Sequence, residues 1–273
     1  MGFSVNTNAG ALVALQNLNK TNTMMNKTQS AINTGLKVAS AKDNAAVFNI
    51  AQGLRADLGG LNSAKSSIDR AISTIDVAIS AGEAVSDLLI EMKEKAVASK
   101  DTGLDADSRT ALNDEYKELR NQITTIVDNA EFNGVNAVKT NAIVALLNSD
   151  GSNSLTVAAQ NMSLGGSIVT VAAASSIGDS ATASTQAAAI DASIKNVGTA
   201  LSKLGSGSKR LELQKTFVNK LSDSIEVGIG NLVDADLARE SANLQSLQVR
   251  QQLGLQALGI ANQAPSSVLS LFG

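Results

Sequence analysis

Apolar side chains recur at steps of three and four residues along most of this chain, which is the spacing of a helix with one buried face. Long stripes of this kind occupy residues 68–79, 112–126 and 190–225. Alternating steps of three and four form a heptad repeat, so we expect long helices that cross at shallow angles. We expect the third helix to be interrupted at Gly205-Ser206-Gly207. The predicted fold class is mainly α, with the helices forming an elongated rod.

The middle of the chain has a different pattern. Apolar runs at 143–147 and 155–158 flank a stretch rich in Asn, Asp and Gly, which predicts a β-hairpin. Further strand is expected at 164–166 and 168–171. The segment 141–186 is otherwise dense in Ser and Thr. We interpret it as an exposed, weakly structured insert, and the alternative is a displayed surface that is chemically modified.

The hydroxyls of this insert are candidates for O-linked glycans because they combine density with expected exposure. The candidate positions are Ser149, Ser152, Thr156, Ser163, Ser175, Ser176 and Thr182.

Both ends of the chain are nearly free of charge. No carboxylate precedes Asp43, and Arg250 is the only charged residue from 241 to 273. Asn, Gln, Ser and Thr take the place of charged residues between apolar positions at helical spacing. Helices of this composition are poorly suited to standing alone in water, so we expect the two ends to meet and then to be buried by other copies of the chain. The expected self-assembly residues are Leu12, Leu15, Leu18, Met25, Ile32, Leu237, Leu244, Leu247, Leu253, Leu258 and Ile260.

The composition excludes several kinds of catalytic site. The chain has no His and no Cys, which excludes a Ser-His-Asp triad, a thiol nucleophile and a histidine-bound metal. The carboxylate pairs Asp234/Asp236 and Glu91/Glu94 fit helix capping and solvated faces better than acid–base chemistry. We predict that the protein is not an enzyme and needs no cofactor.

The charge and hydropathy make other partners improbable. A net charge of −3 and a pI of about 5.1 do not favour nucleic-acid binding. No apolar run approaches the ~18 residues of a membrane span, so no membrane insertion is expected. The N-terminus also lacks the basic stretch and apolar core of a cleaved secretory signal.

Several motifs, in their order along the chain, resemble those of bacterial flagellins. Residues 32–46 are INTGLKVASAKDNAA, and Phe132-Asn133-Gly134 is similar to the turn that closes the family's N-terminal helical part. The most specific motif is DADLARESANL at 234–244. It is followed by similar motifs at the C-terminal end, at 256–258, 261–263 and 265–271.

The resemblance implies a particular architecture. In flagellins the two terminal segments pair as an antiparallel coiled coil that lines a hollow tube, and a helical rod with a β-hairpin lies outside it. The implied segments are 1–40 (N-terminal coiled coil), 41–140 (N-terminal rod helices), 141–186 (short insert), 187–231 (C-terminal rod helix) and 232–273 (C-terminal coiled coil). So short an insert leaves no room for an independent outer domain.

The resemblance also implies a function. The chain would be a subunit of the bacterial flagellar filament, exported unfolded by the flagellar type III apparatus and located outside the cell. The implied partners are other flagellin subunits, the export apparatus, a secretion chaperone, the filament cap and the hook-junction proteins. A flagellin-like hook–filament junction protein is the alternative. An exported membrane translocator and an enzyme-bearing flagellin have no supporting apolar span or histidine ligands.

One stretch departs from the family's pattern. The resemblance implies that flagellins sensed by the flagellin-specific Toll-like receptor present an arginine in a stretch similar to LQRVRELAVQ. Here the stretch is LIEMKEKAVA, with Glu91 in place of the arginine and Lys95 in place of a later leucine. Glu115 matches an acidic contact on the next helix. We expect weak or absent receptor activation, unless neighbouring contacts compensate.

Overall fold

The fold is mainly α, as predicted. The computed structural model describes residues 7–269 and, towards the C-terminal end, side chains as far as Gln263. Its elements in chain order are α1 (Ala9–Thr34), α2 (Ala45–Ala98), α3 (Ala106–Asn129), β1 (Ile143–Leu146), β2 (Ser154–Val157), α4 (Ser180–Val233) and α5 (Leu237–Leu269).

The chain divides into two compact units. The terminal unit comprises Met1–Ala56 and Ser224–Gly273, and the central unit comprises Asp57–Asp223. The two boundaries lie inside α2 and α4, so each of these helices contributes residues to both units.

In the central unit, residues of the apolar stripes of all three helices are buried. Ile68, Ile75 and Leu89 of α2 are fully buried. The other fully buried stripe residues include Met92 of α2, Tyr116 and Ile123 of α3, and Ile190, Val197, Leu204 and Leu211 of α4. The helical spacing therefore identified the buried face of each helix.

The predicted β-hairpin is present in the central unit. β1 and β2 are antiparallel, with Ile143 opposite Val157. The backbone N–H of Leu146 donates to Ser67 Oγ of α2 at 3.1 Å, which ties the hairpin to the helix. On α4, a Cβ at Gly207 would lie 2.8 Å from a methyl group of Val157, so only glycine allows β2 to pack this closely.

Helix α4 differs from the prediction at two places. It begins at Ser180 rather than at residue 187, because Asp179 Oδ1 accepts hydrogen bonds from the backbone N–H groups of Ala181 and Thr182 and so caps the helix. It also continues through Gly205-Ser206-Gly207 without a break. Here packing overrides the weak intrinsic helix propensity of glycine.

The segment 158–179 contradicts two expectations. It forms no strand at 164–166 or 168–171, because its polar backbone groups find other partners. Gly165 N–H donates to Val171 C=O at 2.7 Å, and Thr170 N–H donates to Ser193 Oγ of α4 at 2.9 Å. The segment is also well packed rather than weakly structured: its fully buried side chains are Met162, Val169, Val171 and Ile177.

In the terminal unit, the two motifs that carry the flagellin resemblance meet. Helix α1 ends at Gly35, whose φ of 71° suits the glycine at a helix C-cap. Gly35 C=O then accepts a hydrogen bond from Ala235 N–H, and Lys37 N–H donates to Val233 C=O, both at 2.8 Å. A small apolar cluster lies beside this junction and consists of Val38, Ala51, Ile229 and Val233.

Candidate assembly surfaces

Helices α1 and α5 face each other along a heptad line, which we call the seam. The seam positions step by alternating three and four residues, and all are buried or half-buried. They are Ala11, Ala14, Leu18, Thr21, Met25, Thr28 and Ile32 on α1, and Glu240, Leu244, Leu247, Gln251, Gly254, Leu258 and Ala261 on α5.

Contacts at several heights show that the two helices are antiparallel. Asn8 Nδ2 donates to Ala261 C=O at 2.6 Å, near the start of α1. A Cβ at Gly254 would lie 3.3 Å from Leu18 Cδ1, and Gln251 Nε2 donates to an oxygen of the Asn22 amide at 2.8 Å. The terminal segments therefore form the antiparallel coiled coil that the resemblance implied.

The structure divides the expected self-assembly residues into two groups. Leu18 and Leu247 are only 8% exposed, and Met25, Ile32, Leu244 and Leu258 are half-buried. These six lie in the seam and are covered by the chain itself. The second group is exposed and consists of Leu12, Leu15, Leu237, Leu253 and Ile260, with exposures between 43% and 71%.

The exposed group has further members that the expected self-assembly residues did not include. Val13, Val249 and Leu255 are each more than half exposed. At 100° per residue, Leu12 and Leu18 point about 120° apart, so they cannot share one narrow seam. A helical-wheel projection of α1 shows two separate apolar stripes, and this could have been recognised from the sequence. Apolar side chains on several sides of a helix indicate burial on several sides.

A groove of about 650 Å³ lies in the terminal unit next to the seam. Lys27, Lys37 and Arg250 line it together with Asp43 and Glu240, above apolar side chains that include Val38 and Leu247. Three of the four charged residues found before Lys42 and after residue 240 therefore converge on one place. Ser40 donates hydrogen bonds to the Asp43 carboxylate through its side chain and backbone, which lowers the pKa of Asp43.

The stretch that departs from the receptor-binding pattern lies on α2 in the central unit. Lys95 Nζ is 2.7 Å from Glu115 Oε2 of α3, and this hydrogen-bonded ion pair raises the pKa of Lys95. Glu91 is exposed. The acidic side chain that matches the family's contact is thus already paired within the chain.

The candidate glycosylation hydroxyls have different surroundings. Ser175 is 6% exposed, and its Oγ is 3.0 Å from the Tyr116 hydroxyl, so the folded chain does not present it. Ser149 is half-buried and donates to Asp57. Ser152, Thr156 and Thr182 are exposed, and Ser163 and Ser176 are half-buried.

Residues 7–269 contain no group of His, Cys, Asp or Glu suited to holding a metal ion. None of the helices in this part of the chain combines the length and the hydropathy that a membrane span requires.

Comparison with known proteins identifies the family. The model of the bacterial flagellin N-terminal helical region matches residues 5–142, and that of the C-terminal helical region matches residues 187–272. Flagellin FljM of Caulobacter vibrioides is 51% identical over 98% of both chains. The chain belongs to the bacterial flagellin family. It is accordingly a structural subunit of a flagellar filament, which assembles with other flagellin subunits, and it is not an enzyme.

Solved structures share the fold. The crystal structure of Bacillus cereus flagellin has a TM-score of 0.50 and is 22% identical, covering 56% of this chain and 88% of that one. A protein of Vibrio parahaemolyticus described as a flagellar hook-associated protein has a TM-score of 0.58 at 15% identity, covering 70% of this chain and 100% of that one. At these identities the likeness shows the fold alone, so it does not favour a junction protein over a filament subunit.

Proposed function

We propose that this chain is a major filament subunit that polymerises outside the cell through the exposed apolar faces of α1 and α5. The observation that carries the proposal is that the seam covers only one face of each helix. Val249, Leu253, Leu255 and Ile260 remain 55–71% exposed on α5. On α1, Leu12 and Leu15 are 59% and 43% exposed. Apolar surface of this extent on a subunit indicates a protein–protein interface.

Burial of these faces supplies the driving force for polymerisation. Fully covering one Leu, Ile or Val side chain contributes about 1.5–3 kcal/mol, and only the exposed remainder is available here. Several such side chains on each copy can hold a filament together. The two helices present different surfaces, which suits heterologous contacts between copies. Heterologous contacts whose rotation does not close a ring extend into a helical polymer.

The proposal includes export of the unfolded chain through the flagellar type III apparatus. An isolated α1 or α5 has no partner for its seam, and helices without tertiary packing are marginal in water. A secretion chaperone that covers the C-terminal segment before export, and a cap that guides folding at the filament tip, would both act on this instability. The hook-junction proteins would form the first layer on which the subunits assemble.

Leu253→Asp tests the assembly surface. Leu253 is 57% exposed, so the monomer tolerates the change, whereas a filament would bury an unpaired carboxylate. The matched control is Gln252→Asp, which places the same charge at an adjacent exposed position without removing an apolar side chain. Electron microscopy should show filaments for the control and none for Leu253→Asp. Normal filaments from Leu253→Asp would refute this surface.

Glycosylation is proposed for the exposed hydroxyls of the insert, with Ser152, Thr156 and Thr182 preferred because of their exposure. The intact mass of protein sheared from cells tests this. A mass equal to the 27.9 kDa of the sequence would rule out modification in that preparation.

Weak recognition by the flagellin-specific Toll-like receptor is proposed from Glu91 and from the Lys95–Glu115 pair. An anion in place of a cation removes a charge-assisted bond and adds repulsion, and Glu115 must also leave Lys95 to bind a receptor cation. Together these changes should reduce affinity by about a hundredfold or more. A cell reporter assay with monomer should show this loss, and Glu91→Arg with Lys95→Leu should recover part of it. A full response from the unmodified chain would contradict the proposal.

A further inference from the structure

A hydrogen bond between two side-chain amides joins α1 to α5, from the seam residue Gln251 to Asn22, which adjoins the seam residue Thr21. Gln251 Nε2 donates to the Asn22 amide oxygen at 2.8 Å across the two helices. Both side chains are half-buried. They lie one turn along α1 from Leu18, which packs against Gly254 of α5.

A heptad seam is by itself ambiguous in register. Sliding one helix by seven residues returns heptad positions to heptad positions, so the spacing alone does not determine the register. The Asn22–Gln251 pair does not tolerate the shift. A shift of one heptad places Asn22 opposite Leu244 or Leu258, which leaves a half-buried amide without a partner.

Side-chain size reinforces the same register. Gly254 leaves the space into which Leu18 packs, since an added Cβ would lie 3.3 Å from Leu18 Cδ1. The same register places the small Ala14 opposite Leu258. A shift of one heptad would instead bring Leu18 against Leu247 or Ala261.

We propose that the Asn22–Gln251 amide pair determines the register of the α1–α5 coiled coil, and thereby the surface that each subunit offers to its neighbours. The observed register places the exposed Leu12 and Leu15 at the same height as residues 255–260 of α5. A one-heptad shift moves the two exposed apolar faces by about 10 Å relative to each other. Copies in different registers cannot share one repeating contact, so regular polymerisation requires a single register.

Cysteine cross-linking reports the register directly, because the chain has no cysteine of its own. A Cβ at Gly10 would lie 3.9 Å from the Cβ of Ala261, close to the ~3.8 Å typical of a disulfide. Gly10→Cys with Ala261→Cys therefore reports the observed register. Gly10→Cys with Gly254→Cys reports a one-heptad shift, since these positions are otherwise about 10 Å apart. Intramolecular products are identified at monomer mass on denaturing gels.

The test variant replaces both amides, as Asn22→Leu with Gln251→Leu, in the full-length chain. The matched control makes the same two kinds of substitution at exposed positions, as Asn19→Leu with Gln252→Leu. A third variant, Asn22→Gln with Gln251→Asn, preserves an amide pair. Cross-linking is measured after polymerisation and on depolymerised monomer, and filaments are examined by electron microscopy.

The control and the exchanged-amide variant should cross-link only in the observed register and form regular filaments. The Asn22→Leu, Gln251→Leu variant should raise the shifted product at least about tenfold, because an unpaired amide no longer disfavours it. Its filaments should be irregular or absent.

A single register with regular filaments from this variant would overturn the inference. Loss of assembly in the exchanged-amide variant as well would also overturn it, because shape rather than the hydrogen bond would then be responsible. Failure of the unmodified chain to form filaments would instead contradict the proposed function and leave the monomer cross-links to decide the register.

Discussion

The central and terminal units both have apolar side chains at heptad spacing, but they bury these side chains to different extents. In the central unit, three helices, a hairpin and the 158–179 segment enclose residues such as Ile75, Leu211 and Val169 completely. In the terminal unit, α1 and α5 cover one seam, and Leu253 and Ile260 remain 57% and 71% exposed. Three helices can close a core between them, whereas the two-helix seam leaves apolar faces for other copies. The difference separates the part that folds within one chain from the part that is completed by assembly.

The largest effect is expected from deleting residues 241–273. The deletion removes almost all of α5 and therefore both its seam and its exposed apolar face. Filaments should disappear in electron microscopy, while the central unit retains its helical circular dichroism and a cooperative melt. Filaments of normal length from the truncated chain would show that the two units do not differ in this way.

A pair of identical substitutions, one in each unit, sharpens the comparison. Leu211 is fully buried, so Leu211→Ala should lower the free energy of unfolding of the monomer by about 2–5 kcal/mol. Leu253→Ala should change it by less than about 0.5 kcal/mol. The same Leu253→Ala change should raise the protein concentration needed for polymerisation by about tenfold.

Urea unfolding followed by fluorescence of Tyr116, the single tyrosine, measures the central unit in both variants. Sedimentation of polymerised protein measures assembly. Equal destabilisation of the monomer by the two substitutions would contradict the proposed difference between the units.

A moderate effect is expected at high pH in the central unit. Burial raises the pKa of Tyr116 above its usual value of 10.0, although the hydrogen bond to Ser175 and the charge of Arg120 oppose the shift. The unfolded chain therefore loses this proton first, and stability should fall as pH rises above about 10. Tyr116→Phe should remove this part of the pH dependence. Absorbance of the phenolate in the native protein should show a titration above the usual range, and a normal titration would contradict the burial.

The smallest effect is expected at low pH. Hydrogen bonds from Ser108, Ser152 and Thr182 lower the pKa values of Asp105, Asp150 and Asp179 respectively. Carboxylates with lowered pKa stabilise the fold above their unfolded pKa of about 3.8, and this contribution is lost as pH falls through the folded value.

Asp179→Asn should weaken this acid dependence in the central unit slightly, because the amide still caps α4 but does not titrate. Thermal melts between about pH 2 and 6 measure the change. An unaltered pH profile would show that the Asp179 cap contributes nothing to acid sensitivity.

Local patterns in the sequence determined much of this protein. Heptad spacing identified the helices and their buried faces, and the Asn-, Asp- and Gly-rich turn identified the hairpin. Absent His and Cys excluded most catalytic chemistry, and the 234–244 motif pointed to the family. The absence of His and Cys follows from composition alone, and the heptad and turn patterns depend on neighbours a few residues apart, where helix geometry and turn preferences act directly.

Tertiary structure alone decided which apolar faces are covered. Leu12 and Leu18 were both expected in an interface, but Leu18 packs against α5 and is 8% exposed, whereas Leu12 is 59% exposed. Likewise, α4 continues through Gly207 because β2 packs on this glycine. The backbone N–H of Thr170 donates to Ser193 Oγ instead of joining a strand. The Asn22–Gln251 bond joins residues from opposite ends of the sequence. Such contacts depend on packing and on backbone hydrogen bonds between distant segments, which no local pattern specifies.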